Sequence, residues 1–223
     1  MPDLHNREIQ LVIFDLDGTL VDAYAAVARS LNFVMRELGL ARVRKGRIIR
    51  AVGWGERHLL SQFVPSALLD RAVRMYRPHH NLSLKNGAKL MSGARPLLAR
   101  LIRKGYRLAV ASNRATRFTK LVMSHLDIER YFETVLCRDR VPRPKPFPDI
   151  LNGILKKMHL NPHAAVFVGD MAVDLAAGQK AGIRTIGIST GSHTPRELRA
   201  MKPNAMIRRL NELPDVLKRF QSG

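Results

Sequence analysis

Cysteine is almost missing: Cys137 stands alone among 223 residues, which excludes an intrachain disulfide and is compatible with a reducing cytoplasm. Aromatic side chains make up only 6%, with a single tryptophan, and no stacking-platform motif or zinc-ligand spacing of the kind used on nucleic acids is present. No apolar run approaches the roughly 20 residues that span a bilayer. The opening MPDLHNREIQ has no apolar segment behind a basic start, so neither a membrane span nor a secretory leader is expected. Acids are scarce too: 18 Asp and Glu stand against 38 Lys and Arg, a net charge of +20. That balance favours anionic partners and keeps nucleic acid in view, with a solvated basic surface as the plainer explanation.

What remains describes a soluble globular chain, 46% hydrophobic and 25% charged, long enough for one sizeable core with a modest insert. Residues 9–14 (IQLVIF) read as a buried strand. Apolar residues at helical spacing follow over 23–38, closed by Gly39. Residues 42–50 are a basic stretch, 57–64 a short helix and 65–76 a further helix. Residues 77–91, with Pro, His, Asn and Gly, read as a linker with little regular structure. From residue 94 helices and strands alternate, with strands at 107–111, 134–136, 164–168 and 184–188. This alternation predicts a parallel sheet covered on both faces. Residues 22–86 interrupt it as an inserted helical subdomain.

In such sheets ligands bind beyond the carboxyl ends of the strands, and the scarce acids gather there. Asp15 and Asp17 leave the first strand, while Asp170 leaves a later one with Asp174 four residues on. Two carboxylates at i and i+2 of an extended segment share a side and repel unless a cation such as Mg²⁺ intervenes. An ordinary D-x-D-G turn permitted by Gly18 would look the same. Asp170 and Asp174 equally suit a metal with its supporting groups, or a helix N-terminus capped by one acid and favoured by another. Ser112 and Asn113, in ASNRAT, offer a hydroxyl and backbone N–H groups before a helix, which suits a phosphate or a simple cap. Prolines at 142, 144, 146 and 148 stiffen RVPRPKPFPD and could hold Lys145 at one place, with Arg143 competing for that role.

Taken together, FDLDGTLVD, Ser112 in VASN, Lys145 in RPKPFPD and GDMAVDLAAGQKAG, in that order, resemble the four motifs of the haloacid dehalogenase superfamily, in its phosphoglycolate phosphatase-like branch. The resemblance runs from about residue 9 to 217. It implies an α/β fold: a Rossmann-like three-layer parallel-sheet core over 1–21 and 87–223, with a small helical cap over 22–86. It implies a Mg²⁺-dependent phosphomonoesterase acting on a small phosphorylated metabolite through an aspartyl phosphate. Asp15 would be the nucleophile and Asp17 the general acid and base, its backbone carbonyl also binding the metal. Asp15 and Asp170 would ligate Mg²⁺, with Asp174 supporting through water. Gly18, Thr19, Ser112, Asn113 and Lys145 would hold the phosphoryl oxygens. Asp17 argues against the dehalogenases, and Thr19 looks like the phosphatases rather than the sugar-phosphate mutases.

Within the resemblance, AVGWGERHLL aligns with the cap's substrate-specificity loop, which makes Trp54, Arg57, His58 and Arg50 candidates for contacting the leaving group. Residues 22–86 hold twelve Lys and Arg against four Asp and Glu, so this cap is expected to face an anion, such as a carboxylate- or phosphate-bearing leaving group or a nucleotide. His79, His80 and Cys137 receive no role. The alternatives are a phosphatase for nucleotides, sugar phosphates or pyrophosphate, a phosphomutase, or a basic nucleic-acid-binding protein supported by ARVRKGRIIR. A cytoplasmic monomer or homodimer with no membrane partner is expected.

Overall fold

The computed structural model describes residues 9–222. Six parallel strands form one sheet: β1 (Leu11–Phe14), β4 (Arg107–Ser112), β5 (Thr134–Cys137), β6 (Ala165–Gly169), β7 (Arg184–Ile188) and β8 (Ala205–Ile207), in the order β5-β4-β1-β6-β7-β8. Successive side chains of a strand point to opposite faces, and the central strands obey this. Val12, Phe14, Leu108, Val110, Val166 and Val168 enter one apolar cluster, while Leu11, Ile13, Ala109, Ala111, Ala165 and Phe167 enter another. Helices α5 (Ala94–Arg103), α6 (Thr116–His125) and α10 (Leu213–Ser222) cover the first face. Helices α7 (Asp149–Met158) and α8 (Ala172–Lys180) cover the second. The result is the expected Rossmann-like three-layer core. Because all its strands are parallel and buried on both sides, they are near-continuous apolar runs.

Between β1 and β4 the chain leaves the sheet. The short strands β2 (Val21–Asp22) and β3 (Lys89–Leu90) pair antiparallel and form a two-stranded neck. Beyond it lie α1 (Tyr24–Glu37), α2 (Lys45–Ala51), α3 (Glu56–Ser61) and α4 (Leu69–Lys85), which bury an apolar cluster of their own containing Leu31, Val34, Ile48, Leu60, Ala72 and Tyr76. A separate apolar cluster is what lets an insert pack without borrowing the sheet.

One expectation is corrected, and two elements join those expected. The supposed linker over 77–91 is mostly helix, since α4 runs on to Lys85 with Pro78 inside it. A proline removes one helical N–H, here the donor that would meet the carbonyl of Arg74. Arg74 and Pro78 both lie on the solvent side, where water can satisfy that carbonyl, so the helix continues. The basic stretch over 42–50 is largely helix α2. Beyond residue 188 the sheet gains a further edge strand, β8, flanked by α9 (Pro195–Ala200) and α10. A three-residue strand leaves too short an alternation to read.

Candidate active site

The strand order places β1 at the centre, between β4 and β6. The exits of these three strands therefore converge, and the residues that follow them form the floor of a cavity lined by Asp15, Asp17, Ser112, Asn113, Lys145 and Asp174. The helices α1, α3 and α4 roof it.

Lys145 is the hub. Its ammonium, 1% exposed, donates to Asp15 Oδ1 at 2.6 Å, to Asp174 Oδ1 at 2.7 Å and to the carbonyl of Ala111 at 2.8 Å. The backbone of Lys145 is clamped by Asn113, whose Oδ1 accepts from the Lys145 N–H at 3.0 Å and whose Nδ2 donates to the Lys145 carbonyl at 2.9 Å. Burial alone would depress the lysine, but Asp15 and Asp174 outweigh it and raise its pKa. Arg143, the competitor in the sequence, turns outward to Asp149 at 3.1 Å.

Among the described residues Asp170 has no basic partner within ion-pair distance. It accepts from the hydroxyl of Thr19 at 3.0 Å, from Tyr24 at 3.5 Å and from the Ser192 N–H at 3.1 Å. Burial, then Asp15 and Asp174, raise its pKa well above the usual carboxylate range. Gly18 is required beside it: its φ is +86°, and a Cβ there would collide with the Tyr24 hydroxyl and the Asp170 carboxylate. Asp15 is pushed up to about 7, chiefly by burial, against the pull of Lys145 and with Asp174 adding to the rise.

These carboxylates answer whether a metal fits. Ligand oxygens of Asp15, Asp170 and Asp174 all lie within 4.8 Å of one another. Three buried carboxylates share one ammonium, and a buried charge without a partner is costly. A hard divalent cation with oxygen ligands, Mg²⁺ above all, suits that donor set. The carboxylate of Asp17 does not join it. Both of its oxygens accept from Arg114, at 2.7 Å from Nε and 2.6 Å from the terminal nitrogen, in a bidentate fork.

Other expected residues are placed differently. Ser112 lines the cavity, and its Oγ accepts from the Arg114 N–H at 3.1 Å. Thr19 is fully buried behind Asp170 rather than facing the cavity. Asp174 also holds the start of its own helix, accepting from the Met171 N–H at 3.0 Å, so the capping and site readings both apply. In the loop after α2 it is backbone that meets the core. The carbonyl of Gly53 accepts from Asn113 Nδ2 at 2.8 Å, and that of Trp54 accepts from Arg138. The Trp54 ring, 39% exposed, lies beside His58 and does not line the cavity. Arg57 pairs outward with Asp70 at 2.6 Å, and Arg50 reaches across to Glu197 at 3.0 Å. None of these three, nor the exposed His58, lines the cavity; Arg57 and His58 lie on the solvent side of the short helix α3.

Arg114, His80 and Glu56 line the cavity without having been singled out. Arg114 carried a signal, since it directly follows Ser112 and Asn113 at the same strand exit. His80 was hidden by Pro78, although Ala72, Val73, Tyr76, His80 and Leu84 recur at helical spacing on the buried face of α4.

The haloacid dehalogenase-like hydrolase family model matches residues 12–188. The chain belongs to that family. It is similar to the phosphoglycolate phosphatase of Nitrosospira multiformis, 28% identical over 219 residues covering 95% of this chain and 96% of that one. It is 26% identical to the phosphoglycolate phosphatase of Escherichia coli over 235 residues, covering 95% and 93%. A crystal structure of a "predicted phosphoglycolate phosphatase" from Haemophilus somnus superposes with a TM-score of 0.88 at 24% identity, covering 93% and 97%, a likeness of fold. This hydrolase is therefore an enzyme of the phosphatase type, in the phosphoglycolate phosphatase-like branch. Among the described residues no helix is long and apolar enough to cross a membrane.

Proposed function

We propose that the chain hydrolyses phosphate monoesters of a small metabolite in two steps, through a phosphoryl group carried on Asp15, with residues 22–86 serving as a cap over residues 9–21 and 87–222. One observation carries the reading: a buried carboxylate at the centre of the sheet, 2.6 Å from a buried ammonium, on the floor of a cavity where two further carboxylates converge.

In the first step an oxygen of Asp15 attacks phosphorus while the bond to the leaving alcohol breaks. Lys145 holds Asp15 in place and puts positive charge beside the transferring group. The leaving alkoxide takes a proton from Asp17. Both Asp17 oxygens accept from Arg114 in the present arrangement, so the fork has to release one before that carboxyl can carry the proton. In the second step Asp17 takes a proton from water, which attacks phosphorus and frees Asp15. Ser112 and the backbone amides around Gly18 and Asn113 would hold phosphoryl oxygens. Asp15, Asp170 and the Asp17 carbonyl would hold Mg²⁺, with Asp174 beside them. When bound, the ion offsets the negative charge of the carboxylates and the phosphoryl oxygens. The roof of the cavity excludes bulk water while the acyl phosphate exists.

Phosphate release across a panel of phosphorylated metabolites, with Mg²⁺ and with chelator, tests this. The expected result is release that depends on Mg²⁺ and falls at least about 10³-fold in Asp15→Asn, with an unchanged circular dichroism spectrum. Undiminished release by Asp15→Asn would remove Asp15 as the nucleophile.

A further inference from the structure

The cap helices are strongly basic, yet the cavity is not. None of the twelve Lys and Arg residues between positions 22 and 86 lines it. Several are engaged away from it: Arg29 on the Ser83 carbonyl, Arg36 on Glu37, Arg50 on Glu197 and Arg57 on Asp70, while Arg77 pairs with the cavity-lining Glu56 without itself lining the cavity. The one charged cap residue that lines the cavity is an acid, Glu56. The remaining walls near it are Val27, Val52, Leu59, Tyr76 and Phe118. His80 also reaches the cavity, and it is neutral, its pKa pushed down to about 2 by burial and then by Arg114.

Both cations on the floor are engaged in the present arrangement, and proton transfer at Asp17 frees at most one nitrogen of Arg114. Lys145 serves Asp15 and Asp174. Arg114 spends two nitrogens on Asp17, and its third lies 3.2 Å from His80 Nε2. A carboxylate or a second phosphate on the leaving group would therefore enter an apolar space with no cation to meet it and with Glu56 nearby. Burying such a charge unpaired is costly, whereas an apolar group gains by leaving water.

We infer that the alcohol released by this phosphatase is uncharged and presents an apolar body to Val27, Val52, Leu59 and Phe118, with Glu56 the acceptor for any hydroxyl it carries. This reading opposes the expectation that the basic cap faces an anion, since no cap Lys or Arg lines the cavity. It sets the chain apart from an enzyme built for the carboxylate of phosphoglycolate. The inference rests on the phosphomonoesterase reading and narrows its substrate class.

Matched esters test it, because their leaving alcohols differ in charge and little else. The full chain with Mg²⁺ is given benzyl phosphate against 4-carboxybenzyl phosphate, and propyl phosphate against 3-phosphonooxypropanoate. In each pair kcat/KM is expected to be at least about tenfold higher for the neutral member. Val52→Arg, at a half-buried loop position, puts a cation on the wall and is expected to narrow both ratios by raising the carboxylated member. Equal or better turnover of the carboxylated members by the unaltered protein overturns the inference. Mg²⁺-dependent exchange of oxygen between inorganic phosphate and water needs no leaving group, so it separates the two failures. Exchange without hydrolysis of either neutral ester sinks the substrate class alone; no exchange and no hydrolysis sinks the phosphomonoesterase reading with it.

Discussion

The floor and the roof of one cavity are built on opposite electrostatic principles. On the floor, Asp15, Asp174 and Lys145 are buried and paired, with the buried Asp170 within metal-binding reach of both carboxylates. On the roof, charge is turned outward and the inner surface is apolar. A floor of this kind suits a group common to every phosphate ester. The roof suits whatever differs between them. Net charge, +20 over the chain, describes neither surface, because it counts solvated arginines and buried carboxylates alike.

The contrast can be broken most violently at Lys145. Lys145→Met leaves Asp15 and Asp174 buried beside Asp170 without an ammonium, which should cost about 3–5 kcal/mol of stability and nearly all turnover. Urea denaturation reads the first; recovery of much of the loss on adding Mg²⁺ would show that a cation can stand in for the ammonium. A smaller effect concerns the metal itself. Mg²⁺ at 100 times its dissociation constant should stabilise the protein by about 2.7 kcal/mol, read as a rise in melting temperature. Asp170→Asn should abolish most of that rise, and an undiminished rise would place the ion elsewhere.

Between floor and roof sits His80. The folded protein holds this imidazole neutral, with a pKa of about 2, whereas the unfolded chain protonates it near its ordinary 6.5. Below about pH 6.5, unfolding therefore takes up a proton that the folded state refuses. The stability due to this group is complete above that pH and falls as pH drops toward 2. Melting temperature should accordingly decline more steeply from pH 7 to pH 5 in the unaltered protein than in His80→Asn; parallel declines would clear His80. The smallest effects belong to the outward charges. Arg57 and Asp70 form an exposed pair, and such pairs contribute little. Arg57→Ala and Trp54→Ala should each change kcat/KM by less than about threefold, and a tenfold loss in either would bring the specificity loop back into contact with substrate.

The same contrast governs what the sequence made legible. The positions of Asp15, Ser112, Asp170 and Asp174 followed from apolar runs that end in polar groups, because a parallel sheet gathers its strand exits at one edge. The prolines marked the segment that holds Lys145, 33 positions beyond Ser112, but left Arg143 as a competitor, and only the family resemblance chose between them. The roof was not legible. Leu59 and Tyr76 belong to the apolar cluster of their own helices, and nothing in their spacing distinguishes a cavity wall from a core. Helices α2 and α3 have seven and six residues, too few turns to reveal which face the arginines take. The Arg114–Asp17 fork joins residues 97 positions apart, a pairing that only the packing of β4 against β1 brings about.

The central claim is that Asp15 receives the phosphoryl group, and acid quenching tests it most directly. The protein, with Mg²⁺ and benzyl phosphate carrying a labelled phosphoryl group, is stopped during turnover, digested and mapped. A hydroxylamine-sensitive label is expected on the peptide that contains Asp15, absent from Asp15→Asn. A label on any other side chain, formed and lost at the rate of turnover, would contradict it.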